Sequence, residues 1–288
     1  MKIGLLISGK LGQTALQYLL DSEHDLVFVF TDSTSTTIVE TCKINNIGVF
    51  VGNPRKNNYR NFICDKNIDL LISVNYLFII DKPLIDHANL YSINLHGSLL
   101  PKYRGRTPHV WAIINNETKA GVTAHLIDED CDTGDIVTQI EVPIDINDTG
   151  NSLLLKYHES YLSILDKLLI TISQNCKLET VPQDNSLATY FGKRVPDDGL
   201  INWEWQKERI RNWIRAQSYP YPGAFTFLNG NKIIIDEVHF SDIGFSFDIP
   251  NGTIMSEEPI TVKTQNGVII LSKIREGKCY CKQGCKFF

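Results

Sequence analysis

The sequence predicts an α/β fold: a doubly wound, mainly parallel sheet followed by a small β-rich domain. Three observations carry this. The first half alternates short apolar, β-branched runs with amphipathic stretches, the order produced when helices cross over between parallel strands. Leu153, Leu154, Tyr157, Tyr161, Leu165, Leu168 and Ile172 recur at helical spacing and mark one long closing helix. From Ala224 onward the apolar runs are short, strand-like and separated by turn residues, as in small barrel-like domains. The 288 residues suffice for one large and one small domain, expected at 1–195 and 196–288.

In order, Lys2–Ile7, Asp25–Thr31, Gly48–Val51 and residues 69–75 and 90–96 read as strands, with helices at 14–20, 35–45 and 57–66. This is a Rossmann-like alternation. Residues 122–128 and 136–144 are further strands on either side of an acidic loop. Residues 182–198 have the composition of a linker, and a helix spans about 207–217. The last strands are Ala224–Leu228, 232–238, 252–255, Ile260–Thr264 and 268–272.

Hydrophobic residues make up 43% of the chain and charged residues 21%, an ordinary globular balance that excludes disorder. No apolar run approaches the ~20 residues of a membrane span. The first apolar run is short and ends in a Gly-containing turn, unlike a signal peptide, so a cytoplasmic protein without a membrane partner is expected. Seven cysteines, at 42, 64, 131, 176, 279, 281 and 285, are odd in number and irregularly spaced, which argues against a disulfide framework. The last three lack a CxxC pair and a nearby His, so no metal is expected and they read as free thiols on a frayed tail. The sequons at Asn116, Asn147 and Asn251 matter only in a secreted chain.

The chemistry concentrates in residues 92–101 and 128–135. Asn94 and His96 are two apart at the end of an apolar run, so on a strand they share one face. They precede a Gly-Ser turn, at the carboxyl end where open α/β sheets bind ligands. An amide to hold an oxyanion, an imidazole base and a carboxylate to steer it form an acyl-transfer set. Asp128, Glu129, Asp130, Asp132 and Asp135 all compete for the acid. Cys131 has no local base and no nucleophilic role is assigned to it. Ser8-Gly9-Lys10 lies in a near P-loop, but Leu11 stands where magnesium needs a hydroxyl. The same turn opens a helix whose N–H groups, with Lys10, suit a phosphate. Arg104, Arg106, Lys193 and Arg194 read either as solvated surface charge or as contacts for an anionic substrate, and Tyr219, Tyr221 and Phe225, beside prolines, either as rings that stack on a base or as structural packing. His24, His87, His125, His158 and His239 lack convergent partners and read as structural or exposed.

NLHGSLLPKYRGRTP (94–108) and GVTAHLIDEDCDTGDIV (121–137) resemble the folate-dependent formyltransferases. YFGKRVPDDGLINW and RAQSYPYPGAF resemble the tRNA and sugar branches, and GRTPHVWAIINNE is most similar to enzymes that formylate nucleotide-linked amino sugars. The resemblance implies catalysis by Asn94, His96 and Asp132, the acid being the one immediately before a small-Gly pair. It implies N10-formyltetrahydrofolate as co-substrate, its pterin flanked by Tyr76, Leu77 and Phe78 and by Asp128 and Asp130. The phosphate-bearing acceptor would meet Ser8, Gly9, Lys10, Arg104, Arg194 and Tyr221. The small domain would be OB-like and the enzyme a homodimer. The implied acceptor is a dTDP-4-amino-4,6-dideoxyglucose or a 3-amino analogue, made for surface polysaccharide such as O-antigen; UDP-4-amino-arabinose and methionyl-tRNA are alternatives. A formyl-folate hydrolase and a non-catalytic nucleotide-binding protein are alternatives of another class. Net charge bears on the choice. It is −5 overall, and 11 basic and 11 acidic residues follow position 194, so no basic stripe for nucleic acid is visible.

Overall fold

A computed structural model describes residues 1–55, 58–174 and 177–288. The elements in order are β1 (Lys2–Ile7), α1 (Gly9–Leu20), β2 (Asp25–Thr31), α2 (Thr36–Ile44), β3 (Gly48–Val51), α3 (Arg60–Ile63), β4 (Ile68–Val74), α4 (Lys82–Ile85) and β5 (Ala88–His96). They continue with β6 (Arg104–Gly105), α5 (Pro108–Ile114), β7 (Lys119–Leu126), β8 (Ile136–Pro143), α6 (Gly150–Ser173), β9 (Tyr190–Phe191) and α7 (Lys207–Ala216). The last strands are β10 (Ala224–Leu228), β11 (Asn231–Ser241), β12 (Ile254–Glu257), β13 (Ile260–Thr264) and β14 (Gly267–Glu276). The chain divides into two compact units. One comprises Met1–Gly105, Gly121–Val142 and Lys156–Tyr190; the other comprises Arg106–Ala120, Pro143–Leu155 and Phe191–Phe288.

In the first unit seven strands follow the order β3-β2-β1-β4-β5-β7-β8. The five through β5 pair in parallel, and β7 lies antiparallel to β5. This is the expected α/β, Rossmann-like, mainly parallel sheet. Ile3, Leu5, Leu6 and Ile7 of β1 are buried on successive positions, as a strand covered on both faces requires. Phe28, Phe30, Tyr59, Ile63, Leu71 and Leu84 pack with Leu6 into one core cluster. Four helices depart from expectation. α1 begins at Gly9, five residues early, because Gly9 takes a φ of 63° and turns the chain directly into the helix. The helix expected at 57–66 is one turn, α3, and its first residue, Asn57, lies outside the described residues. α4 and α5 are short and carry proline in their first turn, too brief for periodicity to reveal.

The second unit holds an antiparallel sheet in the order β10-β11-β14-β13-β12, the expected β-rich domain. Ile210, Trp213 and Ile214 form the buried face of α7, which packs on β11 and α5. The tail is not frayed. Phe287 is 1% exposed and stacks on Trp203 at 5.1 Å, and Cys285 accepts a backbone bond from Ile254 at 2.9 Å. Cysteines 42, 64, 131, 279, 281 and 285 are free, and Cys176 lies outside the described residues. Residues 182–198 are more than a linker: two 3₁₀ turns and β9 lie there, and Thr189 O accepts the Arg104 N–H at 2.8 Å. No described helix is long and apolar enough to cross a membrane.

Candidate active site

β5 ends in Asn94-Leu95-His96, and its antiparallel neighbour places His125 directly opposite Asn94. Residues directly opposite in an antiparallel pair share a face, so Asn94, His96 and His125 converge from two strands. The loop after β7 then brings Asp132 back over them. Asp132 Oδ2 lies 3.5 Å from His96 Nδ1, and Oδ1 lies 3.4 Å from Asn94 Nδ2 and 3.6 Å from His125 Nε2. The three residues singled out from the motifs therefore form one cluster. His125, read as structural or exposed, belongs to it as well. Only the β5–β7 register could reveal that, since 30 residues separate it from Asn94 in the chain.

Carbonyl partners assign the imidazole protons. His96 Nε2 faces Tyr103 O at 2.9 Å, and a carbonyl only accepts, so Nε2 carries hydrogen and Nδ1 presents its lone pair. His125 Nδ1 faces Leu126 O at 2.8 Å, so Nδ1 donates and Nε2 accepts from Asn94 Nδ2 at 3.0 Å. Burial pushes the Asp132 carboxyl up. When the two imidazoles are protonated, the charge of His96, the bond and charge of His125, and the Gly105 N–H outweigh burial and hold it well below the usual carboxylate range. Asp132 is thus an anion placed to stabilise a proton arriving at His96 Nδ1.

The acid loop is built tightly. Asp132 adopts a φ of 58°, and Thr133 donates to Asp128 at 2.7 Å. Gly134 is sterically required, since a Cβ there would lie 1.9 Å from Leu126 O. Asp128 and Asp130 are exposed on this loop. Tyr76, expected beside the pterin, packs against the Phe28–Phe30 core cluster with its hydroxyl buried and without a hydrogen-bond partner among the described residues, and sits edge-on to Phe78 at 5.5 Å. Leu77 and Phe78 are half-buried after β4, next to β5 in the sheet.

The residues expected to hold the acceptor come from both units. Ser8 is buried and Lys10 exposed, while the Gly9 N–H donates to Ser35 Oγ at 2.9 Å and so contributes to a structural turn. Asp32 anchors that turn. Burial raises its carboxyl, but the hydroxyls of Ser35, Thr34 and Ser8 bring it down to about 2. Arg104 is 1% exposed, and among the described residues its guanidinium binds the neutral groups of Gln183, Asn185 and Tyr190 and not an anion. In the second unit Arg194 is sandwiched between Trp111 and Trp213, 5.0 and 4.5 Å from the ring centres, and binds Gln217 Oε1 at 3.1 Å. The Tyr221 hydroxyl pairs with His109 Nε2 at 2.9 Å. Among the described residues no three His, Cys, Asp or Glu side chains form a group that could hold a metal.

Residues 1–168 match the formyl transferase family, and residues 193–283 match the formyl transferase C-terminal domain. The chain belongs to the formyl transferase family. It is 36% identical over 211 residues to the bifunctional polymyxin resistance protein ArnA of Wigglesworthia glossinidia brevipalpis, a match covering 73% of this chain and 32% of that protein. The chain thus spans about a third of the length of that relative. Among solved structures it is similar to WlaRD, a sugar 3N-formyl transferase crystallised in the presence of dTDP and 5-N-formyl-THF. The TM-score is 0.69 at 25% identity, covering 96% of this chain and 99% of that one. The methionyl-tRNA formyltransferase of Clostridium thermocellum shares the fold with a TM-score of 0.59 at 18% identity, covering 96% of this chain and 100% of that one.

Proposed function

We propose that this formyl transferase moves the formyl group of N10-formyltetrahydrofolate to the amine of a nucleotide-linked amino sugar. The observation that carries the chemistry is the convergence of Asn94, His96 and Asp132 at the end of β5. A dTDP-linked 4-amino or 3-amino deoxyhexose is the acceptor best supported, because the likeness to WlaRD runs almost end to end. The net charge of −5 favours the same choice over tRNA, whose phosphates demand a basic surface. The ArnA likeness favours UDP-4-amino-arabinose as the second reading.

The chain's groups suit this chemistry. The long Asn94–Asp132 bond is the one Asn94 gives up, so that its N–H meets the formyl oxygen and holds the tetrahedral oxyanion. His125 keeps the other Asn94 N–H and fixes the amide plane. The neutral amine attacks, and His96 accepts its proton at Nδ1, becoming an imidazolium paired with Asp132. His96 then returns that proton to N10 as the C–N bond breaks, leaving a formamide and tetrahydrofolate. Leu77 and Phe78 offer an apolar edge to the pterin, and Asp128 and Asp130 offer acceptors for its N–H groups. Lys10 supplies an exposed cation for the diphosphate.

Initial rates with formyl-folate and a panel of dTDP-, UDP- and GDP-amino sugars, set against initiator aminoacyl-tRNA at low salt, test the proposal. A dTDP-amino sugar is expected to be the fastest acceptor. Faster formylation of tRNA overturns the sugar assignment, and formate release without any amine overturns transfer itself.

A further inference from the structure

A closed ring of hydrogen bonds links the Asp132 carboxylate to a buried guanidinium. Asp132 holds a left-handed φ of 58°, a conformation a non-glycine residue keeps only where its surroundings over-determine it. The carbonyls of Asp132 and Gly134, on either side of Thr133, both accept from Gln183 Nε2, at 2.9 and 2.7 Å. The other end of that amide, Gln183 Oε1, accepts from Arg104 Nε and Nη2 at 3.2 and 2.7 Å. Arg104 also donates from Nη1 to the Tyr190 hydroxyl at 2.5 Å and from Nη2 to Asn185 Oδ1 at 2.9 Å. The residue after it, Gly105, gives its N–H to Asp132 Oδ2 at 2.8 Å. One dipeptide therefore grips Asp132 twice: Gly105 holds the carboxylate, and Arg104, through Gln183, holds the backbone behind it. The acceptors of the guanidinium are neutral oxygens, so its contribution is geometric. A planar fork fixes the amide of Gln183 in one orientation, with the donors aimed at the loop, and a lysine has no such fork.

We propose that Gln183 and Arg104 are positioning residues for the transfer, acting through Asp132 without touching either substrate. The proposal rests on the reading of Asp132 given above for its kinetic consequence, but its structural half stands apart from any activity. Gln183→Met keeps the chain length and removes both donors. The Asp132 loop then relaxes from its left-handed turn, and the carboxylate leaves Gly105 and His96. Arg104→Lys keeps the charge and loses the fork.

Two measurements test it together. The first is amide hydrogen exchange at Gly105, with Asp132→Ala as the reference for a lost acceptor. In Gln183→Met and Arg104→Lys, exchange at Gly105 is expected to accelerate about tenfold or more toward the Asp132→Ala value. The Arg104 amide, bonded to Thr189 O, should stay protected and so reports that the segment remains folded. The second is steady-state kinetics. kcat is expected to fall ~10- to 100-fold, as displacement of a catalytic group by about 1 Å does, with both KM values within threefold. Unchanged Gly105 exchange in both variants overturns the brace. So does Asp184→Ala, which removes only the exposed cap on Ser186 of the same segment, if it accelerates Gly105 exchange as much as Gln183→Met. If the unmutated enzyme formylates no amine, the functional reading falls while the exchange result still decides the brace.

Discussion

Gly134→Ala is a small change with a large expected consequence, because backbone leaves it no room. The new Cβ would lie 1.9 Å from Leu126 O and 2.8 Å from Leu126 C. Restoring even a 3.0 Å approach requires the loop to move by at least about 1 Å, and a strand carbonyl in the sheet cannot yield that much. The loop must move instead, and it carries Asp132 two residues upstream and the Gly134 carbonyl that accepts from Gln183 at 2.7 Å. Overpacking of this kind costs about 1–3 kcal/mol, a fall in Tm of roughly 2–10 °C for a chain of this size. A shift of about 1 Å at Asp132 is expected to lower kcat ~100-fold. Differential scanning fluorimetry and initial rates at saturating substrates measure the two effects. A variant with kcat within threefold of the parent and an unchanged Tm would refute the claim that this contact positions the acid.

Other outcomes follow from the same geometry. Asn94→Ala, His96→Ala and Asp132→Ala should each reduce kcat by ~10²–10³-fold or more, with nucleotide-sugar affinity by calorimetry nearly unchanged; equal losses of binding and turnover would assign them to holding substrate. His125→Ala releases the Asn94 amide from its acceptor and is expected to lower kcat about tenfold or more, whereas a full-activity variant would return His125 to a structural role. Burial lowers His109 from its ordinary 6.5 to about 4. The unfolded chain therefore binds more protons than the folded one between those values, and stability falls as pH drops from about 6.5 to 4. His109→Gln, which keeps an acceptor for the Tyr221 hydroxyl, should flatten the dependence of Tm on pH across that window; an unchanged slope would mean His109 does not govern it.

Much of this molecule was legible without coordinates because its determinants are local. Alternating apolar runs fix strand and helix identity, and β1, β2, β3, β10 and β13 fall where the pattern placed them. Period-two geometry alone put Asn94 and His96 on one face. Long, specific motifs carried the resemblance to the formyl transferases, and the pattern of that family, an acid immediately before a small-Gly pair, made Asp132 the expected acid among five carboxylates. What tertiary structure alone decided depends on register and burial, which couple residues far apart in the chain. That β7 runs antiparallel to β5 brings His125 opposite Asn94. That the segment after α6 returns to pair with residues 101–105 turns Arg104 from an expected anion contact into a buried brace. The same composition of turn residues reads as a linker in sequence and as a hydrogen-bonded strap in space, because only the partner strand tells a satisfied backbone from a solvated one.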